Sequence, residues 1–262
     1  MDLGIAGRTA LVLGASGGLG GAIAVRLAGE GANVAVAGRS ADRVAATAAR
    51  VQDAGAKALP LVWDLAELDR IDPNVSEVER ALGPVDILVN NTGGPPPTPA
   101  SGQDTDTWRR SFEQMVLSVI ALTDRVLPGM RQRGWGRILT STSSGAHTPI
   151  PNLGLSNTLR ASLHAWSKTV SDEVGRDGVT ANVIVPGRIE TGRTRSLDSK
   201  RAEREGRTAD DVMAESAATM ALGRYGRPEE YADAAVFLCS ERASYITGSV
   251  VRVDGGLIRG VH

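Results

Sequence analysis

Over 262 residues the chain sets 29 Lys and Arg against 30 Asp and Glu, and its net charge of −1 gives no electrostatic reason to expect nucleic acid or an anionic membrane as a partner. Hydrophobic residues make up 42% and aromatic ones only 3%, so a large core must be built from Ala, Val, Leu and Ile. The single cysteine, Cys239 in an apolar run, excludes an intrachain disulfide and a thiolate zinc cluster, and no metal is expected.

The first predicted strand, Thr9–Leu13, runs into Gly14-Ala15-Ser16-Gly17-Gly18-Leu19-Gly20 and a helix near 18–29. Glycine at 14, 18 and 20 lets the backbone turn tightly and approach a pyrophosphate, while the helix N-terminus offers unpaired N–H groups and the positive end of its dipole. The turn follows a strand and opens a helix, as a dinucleotide-binding loop requires. Gly14, Ser16, Gly18, Leu19 and Gly20 are therefore candidate cofactor contacts, with an ordinary tight turn as the alternative. The second strand, Asn33–Ala37, ends in Gly38-Arg39-Ser40 before a helix over 40–53. An acidic residue at that tip would hold the ribose 2′-hydroxyl of NAD, and none is present. Arg39 can pair a 2′-phosphate through its planar fork, with Ser40 as a second donor, which favours NADP(H) over NAD(H). Against this, Arg39 can equally be a solvated arginine at a helix start, and Gly17 supplies no second basic residue.

Further strands are predicted at Ala56–Val62, Ile87–Asn90, Gly136–Ser141, Thr180–Val185 and Val250–Val253, with helices near 66–82, 104–133, 152–175 and 228–240. This alternation predicts an α/β fold: a Rossmann-type doubly wound parallel sheet of about seven strands with helices on both faces. No Pro/Gly/Ser linker divides the chain, so one domain over 1–262 is expected. Gly93-Gly94-Pro95-Pro96-Pro97 reads as a stiff loop. Residues 188–220 break the rhythm and are predicted to form a helical lid. The lid mixes Arg193, Arg195, Lys200, Arg201 and Arg204 with Glu190, Asp198, Glu203 and Glu205, which suits a carrier-linked or phosphorylated substrate and a solvated helix face equally. No stretch approaches the ~18 consecutive apolar residues of a membrane span, and the first residues lack the basic start and apolar run of a signal peptide, so a soluble cytoplasmic protein is expected.

The glycine spacing brings further motifs into line: Asp64-Leu65 after the third strand, Asn90-Asn91-Thr92-Gly93 after the fourth, Pro186-Gly187 with Thr191 after the sixth, and Val253-Asp254-Gly255-Gly256. With these, the chain resembles the short-chain dehydrogenase/reductases over nearly its full length. Asn91–Pro97, Leu155-Ser156-Asn157 and the charged lid resemble the β-ketoacyl-carrier-protein-reductase-like subgroup. The resemblance implies that Asp64 and Leu65 meet the adenine, that Asn91 and Gly93 flank the cofactor, and that Pro186, Gly187 and Thr191 hold the nicotinamide amide. In that family a tyrosine passes a proton to the carbonyl oxygen, and a lysine four residues later holds the ribose and lowers the tyrosine's pKa. A serine polarises the carbonyl, and an asparagine anchors a relay water. The corresponding positions here carry Ser156, Arg160, Ser143 and Met115, so three of the four have changed.

Ser156 is too short and too weakly acidic to replace a phenol. Arg160 keeps a cation one helical turn away, able to bind the ribose and stabilise an alkoxide, but with a pKa above ~12 it cannot donate the proton. His147, four residues after Ser143 at the carboxyl edge of the fifth strand, suits acid catalysis with its reference pKa of ~6.5; an exposed loop histidine is the alternative. His164 reads as a packing or interface residue, and His262 carries no signal. The candidate catalytic residues are thus Ser143, His147, Ser156 and Arg160. The leading expectation is an NADP(H)-dependent oxidoreductase acting on a small carbonyl or alcohol, including acyl or polyketide-like ones. A non-redox enzyme and an NADP(H)-sensing binding protein on the same fold remain open. Val116, Leu117, Val119, Ile120, Leu163 and Trp166 on the long helices predict a homodimer or homotetramer.

Overall fold

Short aliphatic runs bounded by glycine and polar turns become seven strands in the computed structural model, which describes residues 1–261 and leaves His262 outside. They are β1 (Thr9–Val12), β2 (Asn33–Gly38), β3 (Ala58–Val62), β4 (Val85–Asn91), β5 (Gly136–Ser141), β6 (Val179–Pro186) and β7 (Val250–Val253). The five inner strands are almost wholly buried, whereas the edge strands β3 and β7 are only partly covered. That is the burial a parallel sheet with helices on both faces requires. The order is β3-β2-β1-β4-β5-β6-β7, all parallel, so the winding reverses between β1 and β4. A crevice at the carboxyl ends of those two strands is where such sheets bind ligands.

The helices are α1 (Gly18–Gly29), α2 (Ala41–Asp53), α3 (Ile71–Leu82), α4 (Thr105–Phe112), α5 (Ser118–Gln132), α6 (Gly154–Val174), α7 (Gly192–Glu205), α8 (Ala209–Ala218) and α9 (Pro228–Leu238). One face of the sheet is covered by α1, α2 and α9 through Ile23, Leu27, Val44, Val51, Tyr231 and Val236. The other is covered by α3, α5 and α6 through Val75, Val78, Leu122, Val126, Val170 and Val174. The stretch predicted as one helix over 104–133 is interrupted by a π-helical turn, Glu113–Leu117, that carries the buried Met115. The helix predicted from 66 begins only at Ile71, after a 3-10 turn at Leu68–Arg70.

The predicted helical lid comprises two helices. Gly206 (φ +63°) ends α7, and the Thr208 hydroxyl caps α8 by accepting from the Asp211 N–H. Arg201 and Arg207 both pair with Glu205 and Glu215, which staples the two helices together. Asp198, only 4% exposed, ties α7 to the body: it accepts from Arg188 Nη1 at 2.9 Å and from the Tyr225 hydroxyl at 2.9 Å. The apolar residues expected at an interface are partly claimed by the chain itself. Val116, Val119 and Leu163 are buried in a cluster with Met115 and Leu159, leaving Leu117, Ile120 and Trp166 half-buried and adding the exposed Phe112. Among the described residues no helix is long and apolar enough to cross a membrane.

Candidate active site

At the switch point β1 and β4 are fastened by Asn91, whose Nδ2 donates to Leu13 O (3.2 Å) and Gly14 O (3.4 Å). Gly14 has φ +57°, and a Cβ there would collide with Asn91 O, while a Cβ on Gly20 would stand 2.5 Å from Gly14 O. These two glycines thus permit loop-on-strand and helix-on-loop packing. Gly18 (φ +56°) opens α1 opposite Thr191, and a Cβ on it would still lie 3.8 Å from the threonine side chain. The helix has no side-chain cap and no acidic residue in its first turn. The N–H groups of Gly18, Leu19 and Gly20 are therefore available to an outside acceptor. Shape and charge both fit the diphosphate of a dinucleotide. Nothing lies within 4 Å of where a Cβ on Gly93 would be, which leaves room for a close approach on the β4 side. On the β6 side, beyond Pro186, Gly187 serves a crossing: its N–H donates to Val253 O (3.0 Å), and a Cβ would be 2.5 Å from Asp254 Cα. The Thr191 hydroxyl caps α7 by accepting from the Thr194 N–H at 3.2 Å.

The tip of β2 gathers hydroxyls and guanidinium groups. Ser16 lies over Gly38, where a Cβ would come 2.9 Å from the serine Cβ. Ser40 occupies the N-cap position of α2 without making a cap bond. Arg39 is largely exposed, 4.0 Å from the Asp64 carboxylate, and Leu65 packs half-buried against the core. Arg43, one turn into α2, was not foreseen from the sequence. Its Nη2 lies 2.9 Å from where a Cβ on Gly17 would sit, and Gly17 itself (φ +130°) adopts a conformation that glycine alone reaches readily. A basic side chain at position 17 is thus replaced in space by one from the neighbouring helix. The signal was the four-residue spacing of Arg39 and Arg43 across a helix start.

Alternation along β5 sends neighbouring residues to opposite faces. Ser141 Oγ meets the Tyr231 hydroxyl (2.8 Å) on the α9 side, whereas Thr142 Oγ1 meets His164 Nε2 (2.9 Å) on the α6 side. Ser143 follows in extended backbone, and its Oγ accepts from the Gly145 N–H at 3.1 Å, which leaves its own proton free to donate. Ser156, Arg160 and His164 stand at four-residue steps on α6. Ser156 (8% exposed) and Arg160 (7% exposed) are buried. Arg160 donates through Nη1 to Ser141 O (3.1 Å) and through Nη2 to Thr92 O (2.9 Å) and Gly93 O (3.3 Å). Three of its five N–H donors thus bind the ends of β4 and β5 together. Burial lowers its pKa to about 10, the phenol of Tyr231 opposing this and the charge of Arg193 adding to it. The group stays cationic at neutral pH and is no proton donor. The Gly154 N–H donates to Thr98 O (2.9 Å), and only glycine at 154 lets Ala100 lie over the start of α6, two residues before Ser156.

A cavity of about 460 Å³ opens between the β5 loop, the end of β6 and α7, walled by Ser143, Leu153, Gly187, Thr194, Leu197 and Lys200. His147 stands behind this wall. Its Nε2 is buried without a hydrogen-bond partner, and its ring centroid lies 5.0 Å from that of His164. The residue follows the 3-10 turn Ser144–Ala146 and is only partly exposed. Burial, and then the neighbouring His147, push the His164 pKa down to about 4. The three tyrosines are elsewhere. Tyr231 is sealed beneath the opposite face of the sheet with its pKa raised by burial, Tyr225 holds Asp198, and Tyr245 is fully exposed.

The family profile described as enoyl-(acyl carrier protein) reductase matches residues 14–258. The chain is 32% identical over 260 residues to 3-oxoacyl-(acyl-carrier-protein) reductase FabG of Aquifex aeolicus, covering 98% of this chain and 100% of the relative. L-sorbose reductase from Gluconobacter frateurii, solved with NADPH and L-sorbose, superposes with a TM-score of 0.94 at 33% identity and covers 100% of both chains. An actinorhodin polyketide ketoreductase variant solved with NADPH gives a TM-score of 0.91 at 29% identity, covering 95% of this chain and 97% of its own. Together with the glycine cradle at the β1/β4 switch point, these likenesses make the chain a member of the short-chain dehydrogenase/reductase family, a nicotinamide-dependent oxidoreductase similar to the 3-oxoacyl-(acyl-carrier-protein) reductases.

Proposed function

We propose that the chain is an NADP(H)-dependent ketone reductase, reversible as a secondary-alcohol dehydrogenase, that works without a phenol at the position of Ser156. The observation that carries this reading is the Ser143 hydroxyl, which accepts from the Gly145 N–H and stands in the wall of the cavity with Pro186 and Gly187. A bound nicotinamide supplies or takes the hydride. Ser143 donates to the carbonyl oxygen, with its lone pair already held by the Gly145 N–H. Arg160, fixed behind the ends of β4 and β5, lowers the energy of the developing alkoxide and turns its remaining donors to the ribose. The proton comes from water in the cavity or from a substrate hydroxyl, since His147 directs Nε2 inward. Asp64, Leu65, Asn91, Gly93, Pro186, Gly187 and Thr191 complete the cofactor site. The preference for NADP(H) is supported by Arg39 and Ser40 at the end of β2, by Ser16 against Gly38 and by Arg43 against Gly17. The mixed apolar and cationic walls suit an acyl or polyketide-like substrate. We take the chain as one domain with a lid, acting in the cytoplasm.

The test follows NADPH absorbance over a panel of carbonyl compounds and titrates both cofactors. NADPH should bind more tightly than NADH, and Arg39→Ala and Arg43→Ala should each weaken NADPH about tenfold while leaving NADH unchanged, the worth of one charge-assisted contact. Equal affinities would remove the NADP(H) assignment. Tight binding with no oxidation by any carbonyl would favour the sensor or non-redox reading.

A further inference from the structure

The cavity beside Ser143 carries positive charge that its own wall does not neutralise. Arg188, Lys200, Arg201 and Arg204 line it, against the carboxylates of Asp198 and Glu205. Both carboxylates are already committed: Asp198 accepts from Arg188 and from the Tyr225 hydroxyl, and Glu205 pairs with Arg201 and Arg207. Lys200 and Arg204 make no ion pair among the described residues. They stand four residues apart, one turn of α7, on the face that also carries the cavity-lining Leu197. Charge along α7 is sorted between its faces. Arg195 and Glu203, which also make no ion pair among the described residues, lie outside the cavity wall. The outer face thus carries both signs, whereas the unneutralised charges on the cavity face are cations only. Solvation of a helix face requires no such sorting. Arg204, in the last turn, also complements the helix dipole, but Lys200 lies a turn earlier and has no such role. Pro97, Ile150, Leu153 and Leu197 give the same cavity apolar surface, beside which an opposite charge is less screened than in open water.

We propose that this cavity takes a carbonyl compound that carries its own anion, a carboxylate or a phosphate monoester, with the carbonyl at Ser143 and the anion at Lys200 and Arg204. This rests on the reading of the chain as a ketone reductase and adds a substrate class to it. Lys200 and Arg204 are specificity-determining residues in this arrangement. They meet the substrate away from the reacting carbon, so they select by charge through KM and leave the hydride step to the cofactor and Ser143.

The experiment follows NADPH oxidation with 4-oxopentanoate, 5-oxohexanoate and 7-oxooctanoate beside their methyl esters, and with dihydroxyacetone phosphate beside dihydroxyacetone, so that every anion has a neutral match. In wild type at low salt, kcat/KM should favour at least one anion over its match by about tenfold, and about 0.5 M NaCl should compress that ratio several-fold. Lys200→Ala and Arg204→Ala should each lower the ratio by about threefold, and the double variant by about tenfold, mainly through KM. Lys200→Arg should retain it. Both residues are exposed, so these substitutions leave the core untouched. A preference for the oxo acids identifies the anion as a carboxylate, and one for dihydroxyacetone phosphate identifies it as a phosphate. Equal rates for anions and their matches in wild type overturn the proposal. So does a preference that survives in the double variant, which would place the anion elsewhere, or a loss in that variant that is equal for both members of a pair, which would mark a general lid defect. If no compound oxidises NADPH, the reductase reading falls together with this one; if the neutral ketones turn over and the anions gain nothing, only the anion site falls.

Discussion

Ser143 and Ser156 carry the same hydroxyl in different surroundings. Ser143 accepts from the Gly145 N–H and stands in the wall of the cavity, while Ser156 is buried on α6. Ser143→Ala should therefore lower kcat by about 10²–10³, the usual loss of ~2.7–4 kcal/mol for one donor to a developing oxyanion. Ser156→Ala should keep most of the turnover. His147→Ala should leave kcat within about threefold, whereas a loss of 10²–10⁴ with a missing pH step would identify it as the acid after all. Steady-state kinetics over pH 5–9 separate these outcomes. His164 makes a different prediction. Its folded pKa of about 4 lies below the ordinary value of 6.5, so between those two values the unfolded chain binds the extra proton. Stability is then lost as pH falls from 6.5 toward 4, by roughly 1–2 kcal/mol after allowance for partial exposure. Melting curves across that range should show a shallower slope for His164→Gln than for wild type. Equal slopes would place the acid sensitivity elsewhere.

At the scale of elements, the lid shows how charge organises a segment that composition left ambiguous. The cations of 188–220 suited either an anionic ligand or a solvated face, and the structure divides them. Arg201 and Arg207 join α7 to α8, Arg188 anchors the buried Asp198, and Arg193 reaches Pro95. Asp198→Ala removes the acceptor of both Arg188 and Tyr225. It should cost about 1–3 kcal/mol of stability, and trypsin should cut faster within 193–207 while the sheet melts as a unit. A cleavage rate equal to wild type would show that the staple between α7 and α8 holds the lid alone. The Gly14–Gly20 loop behaves oppositely: strand, turn and helix were legible there, because each glycine answers to a steric demand within a few residues of itself or across one strand pair.

For the whole molecule, assembly is the property least settled by one chain's core. Val116, Val119 and Leu163, expected at an interface, are consumed inside the protomer, yet Phe112 stays 41% exposed, and Ile120 and Trp166 are half-buried. A homodimer or homotetramer is expected at micromolar concentration, and Phe112→Glu should shift it toward monomer in light scattering. A wild-type monomer would contradict the assignment.

What the sequence determined by itself was periodic or local. Strand and helix alternation dictated a doubly wound parallel sheet, and glycine spacing after β1 dictated the nucleotide loop, because both depend on contacts between near neighbours or on a fixed hand of crossover. Motif order reached as far as the positions of Ser143, Ser156 and Arg160. The tertiary structure decided which way those side chains face and what they spend their donors on. Arg160 turned out to bind three backbone carbonyls, His147 to point inward at His164, Tyr231 to lie sealed on the opposite face, and Arg43 to fill the place left by Gly17. Each of these pairings joins residues from different elements. Their geometry depends on how helices seat against the sheet, a long-range packing outcome that no local pattern in the chain encodes.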